Sequence, residues 1–325
     1  MGRFQELQKA KRAKNKMRVI FMGTPDFAVP SLMGVAQSGH ELVGVVTRPD
    51  KPRGRGQQMQ PTDVKAAVES LGLDVPVLQP ESLKDESFHQ QLRELQPDFF
   101  AVVAFLILPK SVLAIPKLGS VNVHPSLLPK YRGAAPIQWA IINGESETGV
   151  TIFLLSPRID AGDVLIQEKV SIGADETAGE LYERMKVKGA ELLVQAIDGV
   201  SDGSLTPIPQ TDEGVTRAPK LEKEDGRIDW GKSAVEICNL IRGTHPFPGA
   251  FTLWRDKLLK VHKATVGEGA GQAGSIIFSD GKAGVGVGTG DGVLVLDEVQ
   301  PEGKKRMSSA DLVRGYQVAV GEQLG

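Results

Sequence analysis

Phe99-Phe100-Ala101-Val102-Val103-Ala104 is apolar at every position, and Ser120-Val121-Asn122-Val123-His124 follows it as a β-branched run. A strand with one face in water alternates polar and apolar residues. A strand without a polar face must be covered on both sides, which is the signature of a parallel sheet between helical layers. Working outward, Arg18–Phe21, closed by Gly23, and Glu41–Val46 read as further strands, and so does Gly149–Leu155. Helical spacing separates them over Ala28–Ser38, Thr62–Leu71, Lys84–Leu95 and Pro136–Asn143, and Thr177–Gly199 is a long closing helix. The alternation predicts an α/β fold: an open, mostly parallel twisted sheet with helices on both faces.

The pattern changes after residue 200. Gly, Ser, Pro and Asp crowd residues 200–220, which predicts a linker, placed at 209–220. Beyond it one helix (Ser233–Arg242) precedes short strand patterns at Phe251–Trp254, Lys257–His262, Gly274–Phe278, Gly284–Gly288 and Val293–Val299, then a short helix at Ala310–Tyr316. Short strands parted by glycines predict a small C-terminal β-barrel of the oligonucleotide-binding kind. The expected division is therefore a basic disordered extension at 1–16, an α/β domain at 17–208, the linker, and a barrel domain at 221–325.

Composition narrows the function classes. The 325 residues are 41% apolar and 24% charged, enough for two ordinary cores, and the net charge of −2 does not announce a nucleic-acid binder. A single cysteine, Cys238, sits in an apolar run and excludes a disulfide framework. Five scattered histidines, at positions 40, 89, 124, 245 and 262, give no metal-ligand spacing, so no metal is expected. There is no apolar membrane-length run and no secretory signal, and the expected setting is the cytoplasm.

Four segments hold candidate chemistry, each with a plainer reading beside it. Gly23-Thr24-Pro25-Asp26-Phe27 follows the first strand, where helix amides could meet an anion. Neither Gly-x-Gly-x-x-Gly nor a Walker pattern is present there, and the spacing alone favours a tight turn with a capping Asp. In Ser120–His124, Asn122 and His124 share one face at the carboxyl end of a strand, where open α/β sheets place ligands. Amide and imidazole could both serve a developing oxyanion, or they could cap the strand end. Arg158-Ile159-Asp160-Ala161-Gly162-Asp163 offers a carboxylate to an imidazole, or a simple turn. The loop Thr47–Pro61 carries Arg48, Lys51, Arg53 and Arg55 among glycines and is long for a βα connection. It suits phosphate contact, or it is an exposed loop.

These segments, in this order, resemble the methionyl-tRNA formyltransferase family of the formyltransferase superfamily. The likeness rests on Gly23-Thr24-Pro25-Asp26-Phe27, the Arg-Gly loop, Asn122-Val123-His124-Pro125-Ser126-Leu127-Leu128-Pro129 through Arg132-Gly133-Ala134-Ala135-Pro136, and Glu147-Thr148-Gly149-Val150-Thr151-Ile152 before Asp160. Arg227-Ile228-Asp229-Trp230, Pro246-Phe247-Pro248-Gly249-Ala250 and Pro301–Ser308 extend it over nearly all of the chain after Met17. Two positions depart from the family pattern: Phe105-Leu106 lacks a glycine expected in a folate-lining segment, and Pro125 follows the histidine.

The resemblance implies Asn122, His124 and Asp160 as catalytic residues. It also implies Ser126-Leu127-Leu128-Pro129 as a folate-binding segment with a cis peptide before Pro129, and Arg48, Lys51, Arg53 and Arg55 as tRNA contacts. The implied donor is 10-formyltetrahydrofolate, the implied partner methionyl initiator tRNA, and the chain is expected to act as a monomer without a membrane. A formyltransferase for a small amine (glycinamide ribonucleotide or an amino sugar), a 10-formyltetrahydrofolate hydrolase and a non-catalytic RNA-binding protein remain open alternatives.

Overall fold

The structure is a computed structural model that describes residues 16–53 and 57–325. The expected extension at 1–16 therefore lies outside the described residues except for Lys16. The chain divides into two units, one of Met1–Arg132, Gly149–Val170 and Tyr182–Arg217, the other of Gly133–Thr148, Ser171–Leu181 and Ala218–Gly325.

The first unit is built on one sheet of seven strands: β1 (Arg18–Gly23), β2 (Glu41–Val46), β3 (Val77–Leu78), β4 (Phe99–Val103), β5 (Ser120–His124), β6 (Glu147–Leu154) and β7 (Val164–Ser171). Their order across the sheet is β7-β6-β5-β4-β1-β2-β3. The pairs β1–β2, β1–β4, β4–β5 and β2–β3 are parallel, and β5–β6 is antiparallel. The expected mostly parallel sheet is thus observed. Every residue of β4 is buried, as its unbroken apolar run required.

Helices cover both faces of this sheet. Phe88 and Leu92 of α3 (Glu86–Glu94) pack with Ile20, Met22, Phe100 and Val102. On the other face, a Cβ at Gly189 of the long helix α6 (Ala178–Asp202) would press on Val123. Helices α1 (Val29–Gln37), α2 (Asp63–Ser70) and α4 (Lys110–Leu113) complete this unit, and Thr62 caps α2 by accepting from the Lys65 amide at 3.2 Å. Chain order reverses between β1 and β4, so the crevice where such sheets bind ligands lies at the carboxyl ends of β1, β4 and β5.

The second unit is all-antiparallel in its sheet: β8 (Ala250–Trp254), β9 (Lys257–Gly267), β10 (Ile276–Asp280), β11 (Gly284–Gly288), β12 (Val293–Pro301) and β13 (Met307–Ser308). The order is β8-β9-β12-β11-β10, with β13 on β12. The two edges, β8 and β10, are joined by the chain's last residues. Leu324 bridges to Trp254, Gln323 bridges to Ser275 and the Ile276 amide donates to the Glu322 carbonyl at 2.9 Å. The sheet therefore closes into the expected barrel, and register shifts around Lys263 bend β9 enough to serve both neighbours.

Trp230, Ile237, Ile241, Leu259, Leu294 and Leu296 are among the residues that fill the core of this unit. Helix α7 (Ala234–Thr244) opens on a capping box in which Ser233 and Glu236 satisfy each other's amides. It lies close against α5 (Pro136–Ile142), where a Cβ at Gly243 would meet Ile142. Helix α8 (Ser309–Tyr316) ends the set of helices in this unit.

Candidate active site

Asn122 and His124 leave the end of β5 on one face, while Val121 and Val123 are buried on the other. His124 is itself buried, and its ring meets the edge of Phe153 at 6.4 Å. Its Nε2 lies 2.9 Å from the Tyr131 carbonyl oxygen. A carbonyl can only accept, so Nε2 carries the proton of the neutral ring and Nδ1 is left as an acceptor. Nδ1 stands 4.0 Å from Asp160 Oδ2, within ion-pair reach but beyond a hydrogen bond. Burial holds the His124 pKa below the usual histidine value, the Asp160 charge opposes this and Arg132 adds to it. The imidazole is therefore neutral at pH 7.

Asp160 sits in the loop between β6 and β7 with φ +50°, a left-handed conformation that a side-chain-bearing residue holds only when its surroundings impose it. Two features impose it. A Cβ at Gly162 would collide with the Leu154 carbonyl, so only glycine lets the loop fold back on its strand. Gln210 Nε2 then donates to the carbonyls of Asp160 at 3.1 Å and Gly162 at 2.7 Å, while its Oε1 accepts from Arg132 Nη2 at 2.7 Å. Sequence reasoning missed Gln210 and gave Arg132 no role. Gln210 stands fifty positions from Asp160 in the stretch read as linker, and no local spacing signals the tie. That stretch is anchored elsewhere too, by the Val164–Ile208 bridge and the Tyr131 amide on Thr216 Oγ1 at 2.8 Å.

Asn122 and Asp160 open into one cleft walled by Val102, Phe105, Leu106, Leu155 and Ile159, with Ile107 on its rim. Leu106, Ile107 and Ile159 are exposed, an apolar margin around a polar floor that suits a flat heteroaromatic ring. The departing segment Phe105-Leu106 thus lines this cleft, following Ala104 at φ +46°.

Ser126-Leu127-Leu128-Pro129 does not line the cleft. The Leu128–Pro129 bond is cis. The Ser126 hydroxyl donates to the Lys130 carbonyl at 2.7 Å, and the Thr151 hydroxyl donates to the Ser126 carbonyl at 2.6 Å. Gln167 Nε2 holds the Leu128 carbonyl at 2.9 Å, so the turn is locked from β6 and β7.

The described residues of the basic loop include a strand pairing that the sequence pattern did not predict. Lys51–Arg53 pairs antiparallel with Gln58–Gln60 as a two-stranded ribbon. Its base is fixed by Asp50, which accepts from Lys65 at 2.6 Å and Gln79 at 2.7 Å and whose carboxyl is held below the usual range chiefly by the Lys65 bond. Arg48 and Lys51 are exposed. The Arg53 side chain and Arg55 lie outside the described residues. Asp26 does not cap its helix as the turn reading expected. It accepts from Tyr182 Oη at 2.7 Å and Lys186 Nζ at 3.2 Å. Among the described residues no group of three or more His, Cys, Asp or Glu side chains could hold a metal, and no helix is long and apolar enough to cross a membrane.

The formyl transferase family model matches residues 16–197, and the formyl transferase C-terminal domain model matches residues 220–317. The chain is 47% identical to the methionyl-tRNA formyltransferase of Citrifermentans bemidjiense over 95% of its own length and 96% of that protein's. It is also 47% identical to the methionyl-tRNA formyltransferase of Alkaliphilus oremlandii over 95% of this chain and all of that one.

The chain belongs to the methionyl-tRNA formyltransferase family.

The resemblance read from the motifs is met, and so is the transferase class it implied. The fold is shared with solved structures outside that family. WlaRD, a sugar 3N-formyl transferase solved in the presence of dTDP and 5-N-formyl-THF, has a TM-score of 0.65 at 20% identity, over 89% of this chain and 99% of that one. HypX from Aquifex aeolicus in complex with tetrahydrofolic acid has a TM-score of 0.62 at 20% identity, over 94% of this chain. This chain spans about half the length of HypX (48%). What is shared with both is the fold; in this chain the end of β5, where Asn122 and His124 emerge, lies beside the switch in strand order.

Proposed function

We propose that the chain transfers the formyl group of 10-formyltetrahydrofolate to the α-amine of methionine on charged initiator tRNA, giving N-formylmethionyl-tRNA. The observation that carries the chemistry is the convergence of Asn122 and Asp160 on one apolar cleft, with a neutral His124 4.0 Å from the carboxylate. The acceptor is inferred from relatives that bear methionyl-tRNA in their names and match both units of the chain.

In this reading the flat pteridine edge of the folate lies in the cleft. The neutral amine attacks the formyl carbon, and the carbonyl oxygen becomes an oxyanion. The Asn122 amide donates to it, a contact worth about 3–4 kcal/mol in comparable oxyanion holes. His124 was first expected to donate as well. Its neutral ring has its one proton committed to Tyr131, so Nδ1 instead takes the proton that the amine nitrogen sheds. The resulting imidazolium is stabilised by Asp160 and can then donate. It returns the proton to N10 as the carbon–N10 bond breaks, which leaves the formamide and tetrahydrofolate. Ser126–Pro129 serves the folate through the locked shape of its turn. Arg48, Lys51, Arg53 and Arg55 meet acceptor-end phosphates, and residues 221–325 hold the rest of the tRNA.

The test supplies 10-formyltetrahydrofolate with charged initiator tRNA, with glycinamide ribonucleotide, or with no acceptor. Folate is expected to be consumed only with the tRNA. Consumption without an acceptor would make the chain a hydrolase, and consumption with the ribonucleotide a small-amine transferase. Either outcome overturns the proposal.

A further inference from the structure

We infer that Gln210 is a positioning residue for Asp160, and that Arg132 fixes which way the Gln210 amide faces. The inference rests on the catalytic reading of Asn122, His124 and Asp160 given above.

The geometry is a strap across two loops. One amide nitrogen carries two protons, and here both are used at once, on the carbonyls of Asp160 and Gly162. These carbonyls flank the part of the loop that Asp160's left-handed backbone must hold in place. An amide alone does not say which end faces which partner. Arg132 settles it, because a guanidinium has only donors and must meet the oxygen end, at 2.7 Å. The NH2 end then has to face the two carbonyls.

Arg132 follows Tyr131, whose carbonyl holds His124 Nε2. The two-residue segment 131–132 thus fixes both partners, the imidazole directly and the aspartate through Gln210. Thr216 anchors the segment in turn, accepting from the Tyr131 amide through its hydroxyl and from the Arg132 amide through its carbonyl at 3.0 Å. The separation of His124 from Asp160 is therefore set by residues 210–216. A displacement of about 1 Å at a reacting pair can cost on the order of a hundredfold in rate.

The test uses the full chain with Gln210→Met, Gln210→Glu, Asp160→Asn and the Asp160→Asn/Gln210→Met double variant, assayed for kcat and both KM values across pH. Methionine keeps the length and removes the donor. Glutamate also removes the donor but gives Arg132 an ionic partner, so it guards against loss of fold. Both single Gln210 variants are expected to lose at least about tenfold in kcat with folate KM changed by less than about threefold. In Gln210→Met the acid limb moves to lower pH, because the charge that raises the His124 pKa has moved away. In the Asp160→Asn background Gln210→Met should cost nothing more, since residues acting through one another are not additive.

A folded Gln210→Glu enzyme with full kcat overturns the inference. So does a Gln210→Met cost that is as large in the Asp160→Asn background as in the parent. If Asp160→Asn alone keeps full turnover, the catalytic reading fails and takes the inference with it. An inactive Asp160→Asn beside an unimpaired Gln210→Glu overturns the positioning role alone.

Discussion

At the scale of single residues, the site is decided by where one proton sits. Tyr131 claims the Nε2 proton of His124, so in the proposed mechanism the ring meets substrate as a base rather than as a donor. Replacing His124 with Ala, or Asp160 with Asn, should lower turnover by at least about a hundredfold, the range of a lost general acid–base group. Steady-state kinetics on variants with unchanged melting temperature check this, and near-normal turnover in either would remove its assigned role. Protonation adds a stability prediction. Burial is the first cause holding His124, His245 and His262 below the usual histidine pKa. Below the usual value, about 6.5, the unfolded chain then binds more protons than the folded one. Their contribution is fully present above that pH and is lost as pH falls through the lower folded values. Melting temperature should therefore drop as the solution is acidified below about pH 6.5, and His124→Gln should flatten the slope. A slope unchanged in that variant would mean that His124 titrates alike in both states.

At the scale of elements, the barrel is closed by backbone at the chain's end and locked by one side chain. Glu322 accepts from Arg255 at 2.7 Å and from the Trp254 indole at 2.7 Å. These contacts, the Arg255 bond foremost, hold its carboxyl down to about 2. The stability it contributes is present above the usual carboxylate range and is lost as pH falls towards about 2. Glu322→Gln should cost on the order of 1–2 kcal/mol at pH 7, discounted for a partly exposed pair. Denaturant melts of parent and variant should converge near pH 2, and equal stability at pH 7 would sink the idea. The sequence disclosed elements where a physical pattern was strong. Glu41–Val46 and Ser120–His124 were read with their observed bounds, because apolar runs between helices have few other interpretations. Val164–Ser171 was missed, since an edge strand reading Val-Leu-Ile-Gln-Glu-Lys-Val-Ser exposes much of its length. The pairing of Lys51–Arg53 with Gln58–Gln60 hid behind a glycine-rich sequence, and the tail that closes the barrel acts through amides and carbonyls that every sequence has. Asn122, His124 and Asp160 were visible as residue types in order. Their geometry was not, because the Gln210 tie joins positions that share no local spacing.

At the scale of the whole chain, the two units do not follow one cut in the sequence. Gly133–Thr148 and Ser171–Leu181 belong with the residues after Ala218. The division proposed from composition, with a catalytic domain ending at 208 and a barrel domain beginning at 221, would therefore pass through the second unit. Helix α5 shows the consequence. Ile142 of α5 stands so close to Gly243 of α7 that a Cβ there would meet it, and such a cut removes α7. Uncovering the partly buried Ile142 forfeits at most about 1.5–3 kcal/mol by its burial alone. A fragment of residues 17–220 should accordingly bind a hydrophobic dye and melt below the parent, while keeping the seven-stranded sheet and the cleft at Asn122 and Asp160. Changing Ile142 to Gln in that fragment should reduce dye binding, because the newly exposed face is then polar, whereas in the full chain the same change should destabilise. Dye titration and melting of all four proteins read this out. A fragment that melts like the parent and binds no dye would show that α5 does not depend on the residues after 220, and the sequence-based boundary would then stand.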